Sequence, residues 1–185
     1  MLFGFACLLI ANFAVEVPQD IARHLARTNE TRGAFVQTKI LPTGEKFVSE
    51  GTFAIRPGRD FEWRVTEPFD SLFWADREKY VYSNEDEFVE KPLSSLPFAA
   101  RFDALERGDF GDFFKAFDSM YKKDGEGDEA PFHVLAKPSD ARLKKVLSRV
   151  EADGTFPSWT LKATFPDGTV FSIKFDTPLT KRGEN

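Results

Sequence analysis

Apolar residues recur at every second position through much of this chain: Phe53 with Ile55, Phe61 with Trp63 and Val65, Leu72 with Trp74. Successive side chains of a strand point to opposite faces, so a period of two predicts strands with one apolar face. Turn formers separate the runs. Pro42-Thr43-Gly44-Glu45 predicts a hairpin, and Pro57-Gly58 and Glu67-Pro68 interrupt the next two strands. Strands joined this closely pair antiparallel, because a parallel pair needs a crossover of about a dozen residues or more. The stretch from Phe35 to Asp76 is therefore expected as an antiparallel meander with an aromatic face.

The same reading predicts strands at Lys79 to Ser83, Phe88 to Leu93, Phe132 to Ala136, Lys145 to Glu151, Trp159 to Phe165 and Thr169 to Phe175. The acidic run Asn84-Glu85-Asp86-Glu87, Asp153-Gly154 and Pro166-Asp167-Gly168 are the expected turns between them. In two places the period changes. Pro18 to Thr31 reads as a helix with Gln19-Asp20 at its cap, Ile21 and Leu25 on one stripe, and Gly33 ending it before a strand that starts at Ala34. From Ser95 to Tyr121, Phe110, Phe113, Phe114, Phe117, Met120 and Tyr121 follow helical spacing, and Gly108 with Gly111 divides the region into two short helices. That stripe either packs on the sheet as core or covers a curved sheet as a lid. Lys122 to Ala130 reads as a polar loop.

Composition narrows the function classes. The chain has 185 residues, 30% of them charged, a net charge of −5, a pI near 5.2 and a mean hydropathy of −0.35. One domain is expected, and the acidic balance argues against a nucleic-acid surface. Phenylalanine is over-represented, with 21 Phe against three Tyr. Such bulk without hydroxyls suits either a thick closed core or a wall that receives apolar ligand. Met1 to Val15 carries no charge and is too short for a bilayer span of about 20 residues. Residues 1–14 are expected to be a signal peptide cut after Ala14, with a single domain over 15–185, which implies an exported protein. Cys7, the one cysteine, falls in that segment. His24 and His133 are distant in sequence with no ligand spacing around them, and no nucleophile elbow or phosphate loop occurs. No metal, cofactor or catalytic residue is expected; an esterase-like rival would bring His24 or His133 to a Ser and a carboxylate in a pocket.

Phe35-Val36-Gln37, Ser49-Glu50-Gly51, Arg56-Pro57-Gly58 with Phe61 and Trp63, Glu67-Pro68 and Ala75-Asp76 occur in that order over about 40 residues. This ordered set resembles the LolA family, periplasmic carriers that take lipoproteins to the outer membrane of Gram-negative bacteria. Over Phe132 to Phe175 the similarity is looser and mainly topological. The resemblance implies an α+β fold: an incomplete, half-open antiparallel β-barrel of about ten or eleven strands with a helical lid. It also implies a monomer that takes an acylated lipoprotein or lipid from an inner-membrane donor transporter to an outer-membrane acceptor. The expected wall of the lipid cavity comprises Phe53, Phe61, Trp63, Phe73, Phe98, Phe102, Phe113 and Phe117. In that family the arginine of the Arg-Pro pair is linked to holding the lid helices closed, a latch role that carries over to Arg56. Two departures stand out. Arg77 replaces the family's usual Gly, and the chain ends soon after Phe175-Asp176-Thr177-Pro178. The second leaves a LolA-like carrier of a glycolipid or fatty-acyl cargo as the alternative. Phe61→Glu is expected to abolish acyl binding and leave the fold intact.

Overall fold

The computed structural model describes residues 30–56, 59–95, 117–125, 130–139, 141, 143–155 and 158–176. Eleven strands form one antiparallel sheet: β1 (Thr31–Ile40), β2 (Lys46–Arg56), β3 (Asp60–Glu67), β4 (Ser71–Asp76), β5 (Lys79–Asn84), β6 (Phe88–Pro92), β7 (Phe117–Lys123), β8 (Phe132–Pro138), β9 (Arg149–Thr155), β10 (Ser158–Thr164) and β11 (Val170–Asp176). Their order is β6-β5-β4-β3-β2-β1-β11-β10-β9-β8-β7, so two meanders run outward from a central β1–β11 pair. Phe35 faces Phe175 across that seam and Gln37 faces Ile173.

The turns expected from Pro42-Thr43-Gly44-Glu45 and Pro166-Asp167-Gly168 form as read. Leu41 N–H bonds the Glu45 carbonyl at 2.9 Å and Phe165 N–H bonds the Thr169 carbonyl at 2.9 Å. Gly44 at φ 89° and Gly168 at φ 87° take the left-handed conformation that glycine adopts without a Cβ penalty. In the acidic turn the Asn84 side chain accepts from the N–H groups of Asp86 and Glu87, so a local turn motif organises these residues.

Period two also fixes the faces. Cross-strand register places Phe35, Phe53, Phe61, Trp63, Phe73, Phe132, Trp159, Leu161, Ile173 and Phe175 on one side of the sheet, here called the inner face. All belong to or pack against one buried cluster. Leu72 and Trp74, grouped with the apolar alternation in the sequence, sit on the outer face; Phe73 between them points inward opposite Trp63.

Several expectations are corrected. Thr31 to Gly33 begin β1 rather than ending a helix. Phe117 to Tyr121, read as the end of a helical stripe, form β7, which also takes Lys122 and Lys123 from the expected loop. Lys145 closes a 3-10 turn at Leu143–Lys145, and β9 starts at Arg149. Asp153-Gly154 is no turn but lies inside β9, opposite Thr160 and Trp159. The remainder of the N-terminal helix, the signal segment 1–14 and the lid helices over 96–116 lie outside the described residues. Among the described residues there is no α-helix, so a helical lid gains no support.

Glycines explain two of those misreadings. Gly33 lies opposite Phe53 and Gly51 opposite Phe35, and each glycine leaves room for the neighbouring ring. A Cβ on Gly33 would stand 2.6 Å from Phe53 Cε1, and one on Gly51 would stand 2.7 Å from Phe35 Cζ and 1.9 Å from the Arg64 carbonyl oxygen. Gly154, at φ 147°, does the same beneath Trp159, where a Cβ would come within 2.6 Å of Cα. Glycine inside a strand here marks close approach rather than an end.

Candidate functional site

Ring contacts run unbroken across the inner face. They pass from Tyr80 to Phe73 (5.8 Å between centroids), Phe61 (6.3 Å), Trp63 (6.4 Å), Phe175 (6.1 Å), Trp159 (4.3 Å) and Phe132 (6.3 Å). Phe35 stacks on Trp63 at 3.7 Å, and Phe53 meets Phe175 edge-on at 5.4 Å. Four of the expected wall residues, Phe53, Phe61, Trp63 and Phe73, are therefore brought together. Phe117 packs against the same cluster from β7, half-buried. Phe98, Phe102 and Phe113 lie outside the described residues.

At one end the inner face turns polar and opens. Gln37, two residues beyond Phe35 on β1, is 2% exposed, and its Nε2 donates to Ser49 Oγ on β2 at 3.4 Å. Its Oε1 is buried without a hydrogen-bond partner, as is the indole Nε1 of Trp63 deeper on the same face. Gln37, Ser49, Val65, Ser71 and Tyr82 help to line an open cleft of about 710 Å³, edged by Phe47, Val48 and Phe69. Those three edge residues are exposed; Phe69 is 74% exposed and Phe47 52%. The volume falls within the range of about 300–1,000 Å³ usual for small-molecule sites. Val65 belongs to both the buried cluster and the cleft, so the cleft is the outer end of the aromatic face. Lys39 and Lys46 stand at its rim with Asp70, Glu85 and Asp86. The sequence reading missed Gln37 and Ser49. Their signal was parity: Gln37 keeps step with Phe35, and Ser49 with Gly51 and Phe53.

Arg56 lies on the other side. It pairs with Asp60 across the β2–β3 ladder, out of phase with Ile55 and Phe61, and so belongs to the outer face. Its Nε donates to Glu30 Oε1 at 2.7 Å, its Nη1 to Asp60 Oδ1 at 2.5 Å, and its Nη2 stands 3.8 Å from Glu62 Oε2. The hydrogen bond to Asp60 is the main reason the guanidinium holds its proton more tightly than usual. Glu30 also accepts from Arg32 Nε at 2.7 Å. That bond, opposed by burial and aided by Arg56, keeps the Glu30 carboxyl below its ordinary pKa.

His133 hydrogen-bonds Asp153, its partner across the β8–β9 ladder, and both side chains are exposed on the outer face, away from the cleft. His24 lies outside the described residues. Among the described residues no group of three or more His, Cys, Asp or Glu is placed to hold a metal ion.

The described residues thus combine an open antiparallel sheet, one aromatic face and a cleft at its end. No family model matches the chain. An outer-membrane lipoprotein carrier protein of Cupriavidus necator is 31% identical over 114 residues, covering 52% of this chain and 54% of the relative. A protein of the same name from Cupriavidus taiwanensis is 30% identical over 114 residues, with the same coverage. The chain thus spans about half the length of the curated relatives it matches. Among solved structures, a LolA superfamily protein of Nitrosomonas europaea covers 89% of this chain and 94% of its own at 9% identity and a TM-score of 0.42. An outer membrane lipoprotein-sorting protein domain from Vibrio parahaemolyticus covers 90% and 93% at 10% identity and a TM-score of 0.39. The two curated relatives named outer-membrane lipoprotein carrier protein bear out the resemblance to lipoprotein carriers drawn from the sequence.

Proposed function

We propose that this protein is a non-enzymatic carrier that binds the acyl chains of a lipoprotein or lipid in the periplasm and moves its cargo towards the outer membrane. The observation that carries this reading is the unbroken row of rings on one face of an open sheet. Hydrocarbon binds such a face without any special polar group. Each methylene removed from water is worth ~0.8 kcal/mol, so a 16-carbon chain could contribute on the order of 10 kcal/mol. The relatives' name supports a lipoprotein as cargo.

The rings already fill one another's space, so loading requires them to part. Phe98, Phe102, Phe113 and Phe117 would complete the wall around an inserted chain. Arg56 would act as the latch from the outer face, exchanging Glu30 and Asp60 for hydrogen bonds to a covering segment. A hydrogen bond to a charged group is worth ~1.5–3 kcal/mol, enough to bias an open–closed equilibrium about ten- to a hundredfold. Release would then need an acceptor that holds the chains more tightly. In this reading residues 1–14 direct export, and the carrier works as a monomer between an inner-membrane donor and an outer-membrane acceptor.

Phe61 is 4% exposed within the ring cluster, so Phe61→Glu would place a carboxylate in an apolar core. That change is expected to unfold the protein and cannot report on binding alone. The functional test is the protein purified from a bacterial periplasm and extracted with organic solvent. Mass spectrometry should find bound acyl lipid or co-purified lipoprotein, and the extracted species distinguishes lipoprotein from glycolipid or fatty-acyl cargo. An extract without lipid, together with no uptake of a fluorescent fatty-acyl probe, overturns the proposal.

A further inference from the structure

We infer that the cleft at the end of the inner face binds a phosphoethanolamine head, which makes a zwitterionic phospholipid one cargo of this protein. The inference rests on the carrier reading and names a class of lipid for it. Charge around the cleft is divided into two flanks. Lys39 on β1 and Lys46 at the start of β2 line one flank. Asp70, in the β3–β4 loop, and Glu85 and Asp86, in the β5–β6 turn, line the other. Strand order separates the two sets, since β1 and β2 are neighbours and β3, β4 and β5 follow them across the sheet. Lys39 widens that separation. Its Nζ lies 5.7 Å from the centre of the Phe171 ring on β11, the strand on the far side of β1 from β2.

A head that carries both signs answers both flanks. Its phosphate oxygens accept from the Lys39 and Lys46 ammonium groups, and its primary ammonium donates to the carboxylates of Asp70, Glu85 and Asp86. Phe69, 74% exposed and next to Asp70 in the chain, offers the same cation an aromatic face. Other heads use less of the cleft. A purely anionic head, such as phosphoglycerol or a fatty-acid carboxylate, is repelled by the acidic flank, and an uncharged glycerol or sugar engages neither charge. A quaternary ammonium has no N–H to give. Val65 belongs to both the cleft and the ring cluster, so the acyl chains continue from the head onto the inner face. The acidic turn itself is held by Asn84 Oδ1, which accepts from the backbone N–H groups of Asp86 and Glu87. Changing the Glu85 and Asp86 side chains therefore leaves that turn intact.

The experiment displaces a bound fluorescent acyl probe from the full chain with soluble lipids that share the same pair of octanoyl chains. Their heads are phosphoethanolamine, phosphocholine, phosphoglycerol and the bare hydroxyl of a diacylglycerol; chain-free glycerophosphoethanolamine is the fifth competitor. The phosphoethanolamine lipid should displace the probe about tenfold better than the phosphoglycerol lipid or the diacylglycerol at low salt. High salt should shrink that advantage to about twofold, because the cleft is open to solvent. In a protein carrying both Glu85→Lys and Asp86→Lys, the order of the phosphoethanolamine and phosphoglycerol lipids should reverse. The salt dependence is measured on the unaltered protein, so a variant that fails to fold does not decide the matter. Equal displacement by all the lipids, or a preference that survives in the folded double variant, overturns the inference and leaves the carrier reading standing. The phosphocholine lipid matching phosphoethanolamine overturns the primary ammonium in favour of an aromatic contact alone. Displacement by glycerophosphoethanolamine as strong as by the lipid overturns a lipid as the source of the head. A protein that takes up neither the probe nor any of the lipids overturns the carrier reading itself and this inference with it.

Discussion

Strands β2 and β3 carry two different chemistries on their two sides. Inward, Phe53, Phe61 and Trp63 join a buried ring cluster; outward, one residue out of step, Arg56, Asp60 and Glu62 form a charged cluster with Glu30. The sequence neighbours Ile55 and Arg56 are thereby separated by the thickness of the sheet. Residues adjacent in a motif need not share a site, because parity in a strand assigns the face. The inner side holds apolar burial, which is large and non-directional. The outer side holds ion pairs with side chains 22–35% exposed, which are weaker and depend on salt and pH.

That contrast can be broken by substitution, and the largest effect belongs inside. Trp63→Ala should lower the unfolding free energy by about 3–5 kcal/mol, whereas Trp74→Ala on the outer face should cost much less. Urea unfolding of the two variants measures the difference, and equal losses would erase it. Next comes Gly51→Ala. The added methyl would meet the Arg64 carbonyl and the Phe35 ring, so a loss of about 1–3 kcal/mol is expected in the same assay.

Arg56→Leu should cost only about 1 kcal/mol of stability, since its partners are part-exposed. As a latch it should also speed acyl-probe release about tenfold in a stopped-flow measurement. An unchanged release rate would confine Arg56 to its carboxylates. The smallest effect concerns pH. Folding holds the Glu30 carboxyl below its ordinary pKa, so its stabilising contribution is present above about 4.3 and is lost as pH falls through the lowered value. A carboxyl-carbon NMR titration should show Glu30 moving back towards the ordinary value in Arg32→Ala, and less so in Arg56→Leu.

The sheet was largely legible because alternation is a local property. Phe61, Trp63 and Val65 declare their face without reference to any partner. Glycine is different. Gly44 and Gly168 turn the chain, while Gly33 and Gly154 make room for rings on the next strand, and only the cross-strand partner tells these uses apart. Phe117, Met120 and Tyr121 misled for a related reason: over five residues, spacings of three and four mimic a helix, yet Phe117, Ser119 and Tyr121 also keep a strand's period. Four rings of the inner face, Phe53, Phe61, Trp63 and Phe73, were named from sequence. The polar end of that face could not be named, since an unpaired Gln37 oxygen follows from packing that no single strand encodes.

Three tryptophans allow the central claim to be measured in place. Trp63 and Trp159 lie on the inner face and Trp74 on the outer one. Titration with a fatty-acyl chain brominated near its middle should quench the fluorescence of proteins that retain only Trp63 or only Trp159, with the other tryptophans replaced by Phe. A protein retaining only Trp74 should be unaffected. Equal quenching of all three, or none of any, would contradict an acyl chain held on the inner face.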